Sequence, residues 1–299
     1  MRAGAVAAPG AASAPARRVT TGRLAVRLLL HRGLFMFGAV VIVIMVLVAF
    51  LAPVLAPYDP YQPDMQNSLA PASADHWLGT DALGRDTLSR LIYGSRTSLV
   101  VGLSAVAAAL ILGGLLGTAA GFLGGVVQSV IMRVIDTLMA IPMLLLALTL
   151  AAVLGGGLKN VVIAISISMI PPFARLMFAQ TLTIKERDYV ASLRSMGATR
   201  WRTVFGHVMP NAYPAVLVFG TMMIGNAILG EAGLSYLGIG ITPPGAAWGA
   251  MVNAGFPYLL SNPLMSIAPG VAIMLVVFAF NMVGDGLRDV LDPRLRGTM

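Results

Sequence analysis

Residues 185–211, KERDYVASLRSMGATRWRTVFGHVMPN, combine the two ingredients of a docking surface: a rim of charge and a grip of apolar side chains. Five bases, Lys185, Arg187, Arg194, Arg200 and Arg202, face two acids, Glu186 and Asp188. Tyr189, Val190, Leu193 and Met196 recur at helical spacing, and Trp201, Val204, Phe205 and Val208 do so again. Gly197 lies between the two runs and suits a left-handed helix end, with Thr199 as N-cap of the second run. Pro210 is expected to close the unit. The pattern is a helix-turn-helix that either docks a soluble partner or lies on a membrane surface drawn to anionic lipid.

Other reactive side chains are sparse. Asp136, Glu231 and Asp285 fall within or at the ends of long apolar runs, where a carboxylate is expensive and often functional. Arg133 and Asp136 are three apart on one helix face, near its cytoplasmic end, and are expected to pair with each other. Glu231 could meet a ligand or hydrogen-bond nearby backbone. Asp285, between two glycines, is expected at a tight helix end with a packing role. His31, His76 and His207 are scattered, and cysteine is absent, so no metal-ligand spacing exists. No phosphate-binding G-x-x-x-x-G-K-[ST] loop, H-E-x-x-H or G-x-S-x-G elbow occurs, which argues against an enzyme and against ATP hydrolysis by this chain.

The elements that must hold these residues are membrane helices. Hydrophobic residues make up 58% of 299 positions and charged ones 11%, against about 25% charged in a soluble domain. A bilayer core takes about 20 apolar residues per helix. Six runs qualify: 33–56, 97–120, 134–155, 160–179, 212–232 and 266–285. All of the 20 Lys and Arg except Arg85, Arg90, Arg96 and Lys159 fall on one side if the N-terminus is cytoplasmic. This asymmetry predicts that both termini and the helix-turn-helix are cytoplasmic, and it accounts for the net charge of +8 without nucleic acid.

Two loops of some size are left for the other side. In the first, Asp86 is expected to cap a short amphipathic helix on the membrane surface, carrying an Asp86–Arg90 pair and stopped by Gly94. The second, 233–265, offers Trp248 and Tyr258 as interface anchors. The resulting division is a tail at 1–32, a first span at 33–56, an extracytoplasmic loop at 57–96, a core at 97–285 with its loop 185–211, and a tail at 286–299. The Ala/Pro/Arg-rich residues 1–30 are expected to be disordered.

The helix-turn-helix resembles the cytoplasmic loop signature of ABC importer permeases: Glu-Ala-Ala, three residues, Gly, nine residues, Ile-x-Leu-Pro. Gly197 and Pro210 stand at the matching separation, with His207 and Met209 in the Ile and Leu places. Ala191-Ser192-Leu193 replaces Glu-Ala-Ala, so the acidic member is missing, and with it any salt bridge it would make. Three further segments are similar to the dipeptide/oligopeptide/nickel permease group, specifically its second permease subunit: LGTDALGRDTLSRLIYGSRTSL (78–99), EAGLSYLGIGITPPGAAWGAM (231–251) and NMVGDGLRDVLDPRLR (281–296). The resemblance covers nearly the whole chain from about residue 30.

That resemblance implies an all-α, type I importer permease fold in a bacterial cytoplasmic membrane. It implies a homologous second permease subunit, two ATP-binding subunits that carry the ATP and Mg, and an extracytoplasmic substrate-binding protein. It implies no cofactor on this chain. Dipeptides or oligopeptides are the cargo it favours, with nickel chelates or glutathione as alternatives. An ATP-independent channel or carrier is the competing class. For docking the ATPase, the matching positions are Tyr189, Ala191, Ser192, Leu193, Gly197, Trp201 and Phe205, supported by His207 and Pro210.

Overall fold

Long runs of aliphatic residues broken by Gly and Pro build an assembly of helices in which close backbone approach replaces bulky packing. The computed structural model describes Leu29 and residues 32–291; the tail residues outside that range, with the bases counted there, lie outside the described residues. The elements are α1 (Gly33–Phe50), α2 (Ala52–Leu55), α3 (Thr87–Leu123), α4 (Gly125–Met139), α5 (Met143–Leu154), α6 (Leu158–Lys185), α7 (Asp188–Ser195), α8 (Arg200–Thr203), α9 (Met209–Tyr236), α10 (Trp248–Gly255) and α11 (Leu264–Leu291). A π-helical turn, Val204–Val208, joins α8 to α9. Among the described residues there is no β-strand, only an isolated bridge between Thr80 and Asp86.

Among the described residues, five helices are long and apolar enough to cross a membrane, and six spans result when the bent pair α4–α5 is taken as one. The run expected as a straight span at 134–155 is instead bent by 90° between Met139 and Met143. Pro142 causes the break. It lacks an N–H, and it biases the residue before it away from the helical region.

The core lies along α3 and α6. Gly113, Gly117 and Gly121 repeat every fourth residue on α3 and meet Phe173, Ala174, Phe178 and Thr181 of α6. A Cβ added at Gly113 would sit 2.7 Å from the Phe173 Cβ, so only glycine allows this approach. Phe173 packs edge-on against Phe219 of α9, the ring centroids 5.2 Å apart. Val106, Ala109, Met169 and Val216 fill the same core. A second cluster, with Met45, Leu99, Ile228, Trp248, Val276 and Phe280, joins α1 and α11 to it.

Several local expectations are corrected at the end of the bundle that carries residues 57–86 and 237–263. No short helix stops at Gly94; α3 runs unbroken from Thr87 to Leu123. Gly94 instead makes room for the Trp248 indole, whose Cδ1 is 2.5 Å from where a Cβ would stand. Trp248 is therefore buried rather than an interface anchor, and its Nε1–H donates to the Leu91 carbonyl at 2.9 Å. Asp86 does cap α3, accepting from the Ser89 N–H at 2.7 Å. It does not pair with Arg90; it lies 3.0 Å from the His76 ring nitrogen. The buried Arg90 donates to the carbonyls of Pro60 at 2.8 Å, Pro244 at 3.4 Å and Gly245 at 3.3 Å. Its Nε stands 3.7 Å from Asp81, which Arg85 also engages, at 2.7 Å. Arg90 spends its guanidinium on carbonyls of two loops and on Asp81 rather than on Asp86 one turn earlier.

Candidate functional site

The loop between α6 and α9 is anchored before it is exposed. Lys185, the last residue of α6, donates from Nζ to the carbonyls of Gly121 at 3.3 Å and Phe122 at 3.0 Å. The ammonium thus caps the end of α3, where helix carbonyls have no intrahelical partners. Asp188 starts α7 with a negative charge in its first turn, the favourable end of the helix dipole. The helix ends as its sequence suggests: Gly197 adopts φ +79, and the Ala198 N–H reaches back to the Leu193 carbonyl at 3.0 Å. Thr199 then accepts from the Arg202 N–H at 3.4 Å and starts α8.

Pro210 does not close the unit. It sits in the first turn of α9, and the chain stays helical from Arg200 to Tyr236. A proline ring clashes with the carbonyl four residues earlier in an α-helix. The wide turn Val204–Val208, with the Met209 N–H bonded to the Val204 carbonyl, takes up that misfit. The second arm of the helix-turn-helix is therefore a direct extension of a membrane span, not a separate helix.

Both apolar stripes divide between core and surface. Val190, Val204 and Val208 are buried, pinning the two arms to the bundle. Trp201 is 74% exposed and Phe205 53%, and their rings stack with centroids 5.7 Å apart and planes 11° from parallel. Tyr189 and Met196 are also exposed. Tyr189 Oη accepts from Asn211 Nδ2 at 3.4 Å, which links α7 to the start of α9. Ala191, Ser192, Gly197 and Pro210 are exposed, while Leu193 and His207 are half-buried. Beside the stacked rings lies an apolar cleft of about 450 Å³, floored by Leu115, Ala119 and Leu123 from the end of α3. All nine expected residues thus share one end of the bundle. The division of labour within each stripe shows only in three dimensions.

The carboxylates fall elsewhere. Asp136 does not pair with Arg133; it forms an ion pair with Arg175 of α6. Arg133 and Arg175, counted with the cytoplasmic-side bases by sequence, both lie well inside helices. Glu231 is fully buried and accepts from Ser235 Oγ at 2.7 Å, so it lines no open surface; its Oε2 has no hydrogen-bond partner among the described residues. Asp285 is exposed, and no tight end occurs there, since α11 continues through Gly284 and Gly286 to Leu291. Its neighbour Asp289 pairs with Arg32 at the start of α1. Among the described residues, no group of three or more His, Asp or Glu is placed to hold a metal.

Residues 109–297 match the family model described as the binding-protein-dependent transport system inner membrane component. Residues 20–72 match the N-terminal TM domain of oligopeptide transport permease C. A glutathione transport system permease protein, GsiD, of Pectobacterium atrosepticum is 43% identical over 258 residues, 85% of each chain. A dipeptide transport system permease protein, DppC, of Alkalihalophilus pseudofirmus is 38% identical, covering 93% of this chain and 91% of its own. A solved structure of inward-facing conformations of the MetNI methionine ABC transporter is similar in fold, with a TM-score of 0.54 at 18% identity, over 68% of this chain and 97% of that one.

Proposed function

Because this chain belongs to the family of binding-protein-dependent transport system inner membrane components, we propose that residues 185–211 are the lever by which its transporter is driven. The protein is an ABC importer permease subunit, a multi-pass protein of the inner membrane. Trp201, Phe205, Tyr189, Ala191, Ser192 and Leu193, bent about Gly197 and supported by His207 and Pro210, dock a cytoplasmic ATP-binding subunit. The docking end and both termini then face the cytoplasm, in line with the bias of Lys and Arg. Two such ATPases, a homologous second permease and an extracytoplasmic binding protein complete the assembly. ATP and Mg are held by the ATPases, and this chain catalyses nothing itself. The cargo is a dipeptide or oligopeptide, or glutathione, itself a short peptide; the names of the relatives support both. A nickel chelate is the remaining alternative.

One observation carries the docking claim: two stacked, exposed aromatic rings on an arm whose other face is buried. Aromatic anchors on a rigid support are what a helix-in-groove interface needs. Such an arm transmits motion because the chain stays helical from α8 through the π-turn into α9. The chain has no cysteine, so Ser192→Cys gives a single attachment point for a short thiol cross-linker. In intact membranes it is expected to join this chain to an ATP-hydrolysing subunit. No such product from Ser192→Cys or Trp201→Cys, or labelling of these positions from the outer medium alone, would overturn the reading.

A further inference from the structure

The 15 residues of α4 sort into three faces. Ile135 is buried, with Ile131, Met132 and Leu138 partly covered beside it. Val127, Val130 and Val134 are exposed and apolar, suited to lipid or another membrane helix, while Val126 in the first turn lies below the polar face. The third face holds Ser129, Arg133, Asp136 and Thr137, all exposed. On α6, the exposed positions between Pro172 and Lys185 are Arg175, Ala179 and Thr183, spaced four apart. No large apolar residue interrupts this row. The Arg175–Asp136 ion pair bridges the two polar faces, and its side chains are 51% and 54% exposed.

Its depth is what makes this pair unusual. Lys185 ties the end of α6 to the end of α3, from which α4 departs at Gly125, so these helix ends share one level. At about 1.5 Å per residue, Arg175 lies roughly 15 Å from Lys185, and Asp136 about 16 Å from Gly125. The apolar runs 160–179 and 134–155 put both charges within the spans, roughly 6 Å or less from the run ends on this side. Open to acyl chains there, the charges would be strongly disfavoured. They are tenable beside water or polar ligands. Moreover, α4 breaks just beyond Asp136, with the 90° bend. Broken helices at mid-membrane are where many carriers hold cargo.

We propose that Ser129, Arg133, Asp136 and Thr137 of α4, with Arg175, Ala179 and Thr183 of α6, form the wetted wall of the cargo route. In this inference the Arg175–Asp136 pair is a station on that route for a zwitterion with a free carboxylate and a free ammonium. A cargo carboxylate replaces Asp136 on Arg175, and a cargo ammonium replaces Arg175 on Asp136, so the exchange conserves charge. Arg133, which makes no ion pair among the described residues, biases the station toward the carboxylate. The exchange makes two ion pairs for the one it breaks, and desolvation of both cargo termini offsets part of that gain, which keeps the affinity low enough for release. This inference rests on the permease reading and specifies where in this chain the route runs.

The test uses the assembled transporter in proteoliposomes that also contain the binding protein. Thr137→Cys, Ala179→Cys and Thr183→Cys would be exposed to a sulfonate-bearing methanethiosulfonate, which reacts with hydrated thiolates. All three should be modified at least about tenfold faster than Val43→Cys on the apolar surface of α1. The double variant Asp136→Asn/Arg175→Gln should assemble and hydrolyse ATP, yet take up free-ended dipeptide roughly tenfold more slowly. Unreactive cysteines in vesicles that import dipeptide would overturn the seam and leave the permease reading standing. Wild-type uptake by the double variant would overturn the zwitterion station. If the double variant fails to assemble, the thiol rates decide the seam, and equal protection of Thr137→Cys by a free-ended dipeptide and by its N-acetyl amide would overturn the station. Vesicles with the unaltered chain that import nothing on addition of ATP would sink the permease reading instead.

Discussion

Trp201 stacks on Phe205 at the exposed end of the α8–α9 helix, with the ring planes 11° apart, while Val204 and Val208 of the same turns are buried. The arm is thus held by one set of side chains and presents another.

Trp201→Ala should therefore separate docking from folding. An exposed aromatic anchor at the centre of an interface contributes about 2 kcal/mol, roughly thirtyfold in affinity. The variant is expected to insert and melt as the parent does, but to lose most copurifying ATPase and most ATP-driven uptake. Val208→Ala should do the reverse in order, first lowering the melting temperature by opening a cavity in the core.

Gly197 tests the bend. A side chain there meets nothing within 4 Å, so any penalty comes from φ +79 and not from a clash. A β-branched residue is poorly accommodated in that region, whereas Asn visits it at about 1 kcal/mol or less. Gly197→Asn should keep most uptake and Gly197→Val should lose it, with both proteins present in the membrane at parental levels. Equal uptake by the two would show that the angle between α7 and α8 does not matter.

Gly113 lies where α3 and α6 touch, away from the docking end. Gly113→Leu would drive its Cβ against Phe173 and the Ile170 carbonyl, within 2.8 Å of each. Overpacking of this kind costs about 1–3 kcal/mol or more. The expected result is a sharp fall in detergent-stable monodisperse protein, read by size-exclusion chromatography.

Arg90 should not tolerate replacement by lysine. Its fork reaches Pro60, Pro244 and Gly245, and an ammonium cannot span that set. Both Arg90→Lys and Arg90→Met should free the 57–86 loop. Limited proteolysis should then cut that loop at least several-fold faster than in the parent, while the Ser192→Cys cross-link persists.

Glu231→Gln preserves an oxygen to accept from Ser235 and removes a carboxylate whose second oxygen has no partner among the described residues. Burying an unpaired charge is costly, so the amide is expected to leave the melting temperature unchanged or raise it. A marked loss of stability would indicate that the second oxygen accepts a hydrogen bond within this chain, the Ser98 hydroxyl being the neighbouring donor.

Much of this protein is legible in its residues. Apolar runs of sufficient length and the Gly197–Thr199 stop-and-start signal are local properties set by hydrophobicity and backbone preference. The α7 end and the Thr199 cap accordingly appear as the spacing predicts. Signals that require knowing what stands opposite mislead. Gly94 reads as a helix stop because nothing in the chain near it announces Trp248, 154 positions on. Pro210 reads as a terminator because the π-turn that absorbs it is not written as a motif. Asp136 has a ready partner in Arg133 on its own helix, yet it takes Arg175 from α6. Tertiary packing alone decides such pairings, since in a membrane each charge goes to whichever partner the helix crossings bring within reach. Sequence periodicity therefore determined where the apolar helices run and that a short bent helical arm joins two of them. The crossings of α3, α4 and α6, fixed by contacts between distant small residues, determined which polar faces meet.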